Sequence, residues 1–260
     1  MSGLFQRSGI DTFLDKKDWA SRLRSPWELL AVSKRILQAH RSDLRPHHSA
    51  EVERNVTMIG PVFIGAGAKV CNGSYLVGPI VIGSNCVIGP NCFVRPYTVL
   101  ADECRVGPGV ELKNVLVGRQ TAFYHSCTIL DSIIGQGCAI SAGTITLVAR
   151  YDSREIIVKW HRKDHRTGLK KFGTIVGNST VLSGNVVILP GKVIGENCRI
   201  GFNMTVDRNI PHNTFVRPRQ ELLMDAWSIP PTRWPAPRIY LEKGGRKRIS
   251  IDEEKSRETK

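Results

Sequence analysis

The sequence has no apolar run long enough to cross a membrane as a helix, and no leader pattern at its start, where Met1 to Asp18 holds only scattered apolar residues. Its seven cysteines are an odd number, and none forms a Cys-x-x-Cys pair. That argues against a disulfide framework and the common zinc motifs, and predicts a reduced, cytoplasmic protein with no metal and no membrane association. Aromatic residues make up 7% of the chain, and 23 acidic residues face 37 basic ones, leaving a net charge of +14. Without an aromatic and basic strand platform this excess does not predict nucleic acid. It gathers in the N-terminal segment, after Thr146 and in the tail, and suits anionic small molecules such as phosphates or coenzyme A.

What the chain does have is a period of six. Ile82, Ile88, Val94, Leu100, Val106 and Leu112 follow one another at that spacing. The phase resumes through Val117, Phe123, Ile129, Ile134, Ile140 and Thr146, and again from Val176 to Val206. Six matches neither the 3.6 of a helix nor the 2 of a strand meander, and predicts a parallel β-helix of hexapeptides, three to a coil. Glycine often follows the aliphatic residue, as in Ile82-Gly83 and Val106-Gly107, which suits a tight turn. Cys86, Cys92, Cys104, Cys127, Cys138 and Cys198 each stand two residues before an aliphatic position, where a small side chain packs a narrow interior.

Around this array the chain divides into three. Residues 1–50 are an N-terminal helical segment. Ser25-Pro26-Trp27-Glu28 reads as a serine N-cap with proline at the first helical position, starting a helix that runs to about His40 and serves as a cap over the open first coil, or else as a linker or oligomer contact. Residues 51–210 are the β-helix, with distorted first turns expected from the uneven spacing of Ile59, Ile64, Val70 and Val77. Its interruption at 147–173 is a basic, protruding loop, with Ile156-Ile157-Val158 as a strand and Thr167-Gly168 near its turn. It reads either as an arm against a neighbouring subunit or as a lid over an anionic ligand. The coil is expected to end near Val206, with prolines after it. Residues 211–260 form an irregular extension, with a short helix at Gln220–Trp227 and a charged, disordered tail from Lys243.

Two basic residues interrupt the glycine position. Arg95 and Lys113 stand three hexapeptides apart, one full coil, so their Cα atoms stack about 4.8 Å from each other. Two cations at that distance call for an anion between them, a phosphate site, or else for a solvated basic corner. His125 lies beyond Lys113, two coil sides further along the chain. The small residues Ser141-Ala142-Gly143-Thr144 leave backbone N–H groups open to a long thin ligand.

Glu111-Leu112-Lys113-Asn114, His125-Ser126, Asp131-Ser132 and Ala142-Gly143-Thr144-Ile145-Thr146 resemble the C-terminal half of the bifunctional N-acetylglucosamine-1-phosphate uridyltransferase and glucosamine-1-phosphate N-acetyltransferase. The match reaches back to Arg95-Pro96. Beyond the interruption it takes in Lys171-Phe172 and Ile175-Val176-Gly177, and it is most similar to the archaeal-type sugar-1-phosphate nucleotidylyltransferases. The resemblance implies a left-handed β-helix and a homotrimer with sites between subunits. It implies acetyl transfer from acetyl-CoA to an amino-sugar phosphate or related amine. His125 would be the general base, Arg95 and Lys113 would hold the phosphate, and Lys171 would add a cation. Ala142, Gly143, Gly184 and Phe202 would line the coenzyme groove. No glycine-rich nucleotide loop precedes the coil, so uridyl transfer and a magnesium requirement are not expected, and a separate nucleotidyltransferase is a candidate partner.

Departures from the pattern matter as well. Thr128, Ala139 and Val148 stand where the family has a tyrosine and two asparagines that contact the sugar or its amine, and Phe202 stands where a small residue is usual. These changes point to a different acceptor, or to a non-catalytic trimer that binds a nucleotide sugar, another anion or an assembly partner. A carbonic-anhydrase-like metal site on the same fold would need three converging histidines, and the regular coils hold only His125.

Overall fold

The computed structural model describes residues 25–160 and 163–219 and, in a second unit that begins at Gln220, the strands Arg238–Leu241 and Lys247–Ser250. The first unit is the parallel β-helix. The chain visits three faces in turn, giving parallel sheets of nine, eight and seven strands. Over three successive coils, face 1 holds Val87–Ile88, Arg105–Val106 and Ala122–Phe123. Face 2 holds Phe93–Arg95, Glu111–Lys113 and Thr128–Leu130, and face 3 holds Val99–Leu100, Leu116–Val117 and Ile133–Ile134.

The inward aliphatic residues set the period. Ile64, Val70, Leu76, Ile82, Ile88 and Val94 are all fully buried, so the sixfold phase holds from the first coils, while the turn after Val77 carries a cis Gly78–Pro79 peptide bond. Ile59 and Val77 belong to the ends of the face 2 strands Thr57–Ile59 and Tyr75–Val77, and Leu76 is the inward residue of the latter. The glycines after the aliphatic positions serve stacking more than turning. A Cβ on Gly107 would collide with the Tyr124 carbonyl oxygen of the next coil. The left-handed backbone lies two residues further on, as at Asn85 and Asn91 with φ of 55° and 57°, and asparagine tolerates it better than most residues.

The cysteine positions carry a second reason besides size. Their side chains donate to the turn carbonyls of the next coil: Cys92 Sγ to Gly107 at 3.0 Å and Cys138 Sγ to Gly177 at 3.2 Å. Thr121 and Thr180 do the same to Gly135 and Gly195, at 2.8 and 2.9 Å. Each satisfies a carbonyl that the stack would otherwise bury without a partner.

Face 3 is apolar on its outer side as well, at Val81, Val99, Ala101, Leu116 and Ile133, and two elements cover it. Helix α1 (Glu28–Ala39) buries Leu29, Leu30 and Leu37, with Trp27 just before it, against that surface. Each such side chain stabilises by about 1.5–3 kcal/mol before entropy is charged. The helix therefore lies along the side of the coil and is not the end cap expected of it. Its start also differs, because no side chain caps it and the Glu28 N–H donates to the Ser25 carbonyl at 3.1 Å.

The second cover is the insertion. Ile134 pairs with Val176 and Ile140 with Leu182, so the chain makes a long excursion between two coils that are nevertheless direct neighbours in the stack. Within that excursion Ile157–Trp160 and Lys163–Arg166 form an antiparallel hairpin. Ile156, Val158 and Phe172 are buried in the same cluster as α1, and the His165 ring sits 5.8 Å from Trp27. The loop expected to protrude instead folds back on face 3, because its alternating apolar residues match an uncovered apolar sheet. The strand expected at Ile156-Ile157-Val158 is Ile157–Trp160, and it pairs with Lys163–Arg166, so both strands precede Thr167-Gly168, the expected turn.

The coil outlasts its expected end at Val206. Phe215–Val216 pairs with Arg199–Ile200, and Ile210 bridges to Ile194. Pro211 sits at a corner, where its carbonyl accepts the Cys198 thiol at 2.9 Å and no amide donor is required. In the second unit Arg238–Leu241 pairs antiparallel with Lys247–Ser250, so part of the tail expected to be disordered is a strand. Ile239-Tyr240-Leu241 before Gly244-Gly245, and Ile249 after it, supply the hairpin signal. The helix expected at Gln220–Trp227 lies outside the described residues.

Candidate functional site

Two of the three corners carry the residues singled out by the sequence. At the corner from face 1 to face 2, His125, Ala142, Gly143, Gly184 and Phe202 form one column over four successive coils. The backbone links the rungs: Gly143 N–H to the His125 carbonyl at 3.3 Å, Asn185 N–H to Ala142 at 2.8 Å, and Asn203 N–H to Gly184 at 2.9 Å. The His125 ring is exposed and stands edge-on to Tyr124 at 6.5 Å. Phe202, 56% exposed, rises at the far end of the small-residue run.

The cations stand on the other edge of face 2. Lys113 pairs with Arg95 in parallel register, as the spacing of one coil requires. Each is countered by a carboxylate of the chain itself. Arg95 Nη1 meets Glu111 Oε1 at 2.8 Å, and Lys113 Nζ meets Asp131 Oδ2 at 3.1 Å. Asp131 is 6% exposed, and its other oxygen accepts Asn114 Nδ2 at 2.8 Å. Lys171, exposed, reaches the same corner where the insertion returns, since Gly173 two residues later donates its N–H to the Asp131 carbonyl at 2.8 Å.

The fold thus gathers five of the candidates on one corner and three on another, and the width of face 2 separates the groups. Thr128 lies between them, opposite Glu111 on one coil and Ile145 on the next. Ala139 is on face 1, between Ala122 and Val181. Val148 anchors the insertion, its carbonyl accepting the Phe172 N–H at 2.8 Å. The residues that sequence reasoning missed are the carboxylates Glu111 and Asp131. The signal is faint, since Lys113 pairs with Leu130 on the next coil and Asp131 is the residue just past it.

A cavity of roughly 540 Å³ lies elsewhere, on face 3 beneath α1 and the hairpin, walled by Ile133, Ile175 and Val193. Among the described residues no group of three or more His, Cys, Asp or Glu is placed to hold a metal ion. No helix among them is long and apolar enough to cross a membrane.

The GMPPB C-terminal domain family matches residues 76–149. The bifunctional protein GlmU of Methanocaldococcus jannaschii is 35% identical over 198 residues, covering 76% of this chain and 47% of that protein. The chain thus spans about half the length of that relative. The uncharacterized acetyltransferase YaiX of Escherichia coli O6:K15:H31 is 35% identical over 164 residues, covering 63% of this chain and 71% of YaiX. The chain belongs to the hexapeptide-repeat acetyltransferase family. Among solved structures, the polySia-specific acetyltransferase NeuO has 16% identity and a TM-score of 0.40, covering 73% of this chain and 92% of that one.

Proposed function

We propose that this chain transfers an acetyl group from acetyl-CoA to the amine of an amino-sugar phosphate or a related amine, with His125 as the general base. The observation that carries this reading is the column of His125, Ala142, Gly143 and Gly184 along one corner, in a chain of this family. Small residues there leave room for a thin thioester arm. A thioester is already activated, so no protein nucleophile is required. The amine nitrogen attacks the carbonyl carbon, the C–S bond breaks, and coenzyme A leaves as the thiolate and takes up a proton. His125 accepts the proton that the incoming ammonium must lose. Backbone N–H groups near Ala142 support the thioester carbonyl. Arg95, Lys113 and Lys171 receive the acceptor's anionic group across face 2. A homotrimer would close each site with a second subunit, and a separate nucleotidyltransferase would use the product.

The second reading is a non-catalytic trimer that binds a nucleotide sugar or another anion. Thr128, Ala139 and Val148 favour it, as does the pairing of both stacked cations with carboxylates. The test is acetyl-CoA binding by calorimetry, followed by addition of glucosamine 1-phosphate with free thiol monitored. Thiol release that disappears in His125→Ala supports the acetyltransferase. Binding without release points to another amine, and no binding at all points to the non-catalytic trimer.

A further inference from the structure

The most constrained charged group among the described residues near either corner is Asp131. It is 6% exposed and holds a left-handed backbone with φ of 44°. Its N–H donates to the Lys113 carbonyl and its own carbonyl accepts the Gly173 N–H, both at 2.8 Å. Its two carboxylate oxygens take Lys113 Nζ and Asn114 Nδ2, at 3.1 and 2.8 Å. A carboxylate removed from water to this degree persists only when paired and hydrogen-bonded, and here backbone and side chain are both fixed.

The pairing has a consequence for the lysine. A free lysine side chain has many rotamers, and that freedom is lost when its ammonium is held in one place. Arg95 is pre-ordered by its planar fork and by Glu111, but Lys113 has four single bonds and a point charge. Its side chain is 25% exposed, against 38% for Arg95. The bond to Asp131 takes one of three ammonium donors and leaves two for an anion. We propose that Asp131 is a positioning residue that holds the Lys113 ammonium at the edge of face 2 in readiness for the acceptor's anionic group. This rests on the reading of Lys113 as an acceptor contact. Asn114 fixes the carboxylate, and Gly173 ties the return of the insertion to the same point, bringing Lys171 within two residues of it.

A carboxylate next to an anion site also opposes the anion by charge, so position and charge make different predictions. The experiment measures KM and kcat for glucosamine 1-phosphate, and calorimetric affinity for inorganic phosphate, in the wild type, Asp131→Asn, Asp131→Glu and Asp131→Ala, with a melting curve for each. Asparagine can still accept from Lys113, and the Asn114 amide can turn to meet its NH₂. The expected result is Asp131→Asn within about threefold of wild type. Asp131→Glu, which keeps the charge and moves the oxygen, raises KM and weakens phosphate binding about tenfold with kcat little changed. Asp131→Ala behaves like Asp131→Glu wherever it folds.

Tighter binding in Asp131→Asn overturns the proposal, because the carboxylate then acts through charge alone. Lower melting temperatures with KM and phosphate affinity unchanged also overturn it, leaving only a structural role. A wild type that binds phosphate but releases no thiol defeats the acetyltransferase reading and leaves the phosphate comparison between Asp131→Asn and Asp131→Glu to decide this one. A wild type that binds neither anion overturns it outright.

Discussion

The Gly143 N–H donates to the His125 carbonyl at 3.3 Å, so the candidate base and the candidate coenzyme groove share one backbone rung. Gly143 has φ of 71°, and a Cβ added there would collide with Asn185 Oδ1. Positive φ alone is bearable in this column, since Ser126 has it at 53°. The side chain of Asn185, bonded to Asn203 at 3.0 Å, is what excludes a Cβ. Gly143→Ala is expected to cost about 1–3 kcal/mol from backbone strain and the displaced amide. Gly168→Ala, with φ of 72° and nothing within 4 Å of its Cβ, is the control and costs about 1 kcal/mol. Urea midpoints of the two variants check the difference, and acetyl-CoA affinity is expected to fall for Gly143→Ala only.

His125→Ala is expected to separate catalysis from stability. The ring is exposed and touches Tyr124 only edge-on, so its removal leaves the melting temperature within a degree or two. Thiol release falls by about 10² to 10⁴ while acetyl-CoA affinity holds. A melting temperature that drops with activity would make the histidine a packing residue.

How much of this can be read from the sequence depends on which interactions set each feature. The period of six is imposed by residues such as Ile88 and Val94 that bury one side chain per face, and it shows directly in the chain. The column of His125, Ala142 and Gly184 follows once the period is known, because stacked corners inherit the coil length. The side of the coil that α1 covers does not follow. It depends on Val81, Val99 and Leu116 being apolar on the outer side of face 3, and in a sequence of two-residue strands an outward valine reads like an inward one. The glycines are legible in position but not in cause, since the clash at Gly107 is with Tyr124, one coil away. Asp131 escapes notice because the two stacked cations already suggest an external anion, and spacing alone does not say that a carboxylate one coil on takes its place.

The insertion is expected to behave as part of the fold and not as a lid. Phe172 and Val158 are fully buried against face 3 with α1. Phe172→Ala should cost about 3–5 kcal/mol, as for other buried phenylalanines. Replacing residues 150–170 with a short glycine-serine link should bare an apolar sheet and cause aggregation. A lid predicts the opposite, a stable protein with a raised KM. Light scattering and urea unfolding of the two variants distinguish the cases.

The interior thiols give the fold a sensitivity to alkali. Burial pushes Cys92 and Cys138 up to about 11, from an ordinary thiol value near 9. The unfolded chain releases these protons as the pH passes 9, and the folded chain only near 11. Stability is therefore complete below pH 9 and is lost between 9 and 11, by on the order of 2 kcal/mol for each thiol. Neighbouring coils suggest the variants that isolate the effect. Ser74 occupies the Cys92 position one coil earlier, with its hydroxyl on the Gly89 carbonyl at 2.8 Å. Thr121 occupies the Cys138 position and bonds Gly135 in the same way. Cys92→Ser with Cys138→Thr should keep these hydrogen bonds, fold at pH 8, and make the fall in urea midpoint between pH 9 and 11 shallower, Cys86 and Cys127, also raised, supplying the remainder. A fall as steep as that of the wild type would assign the alkaline loss to other groups.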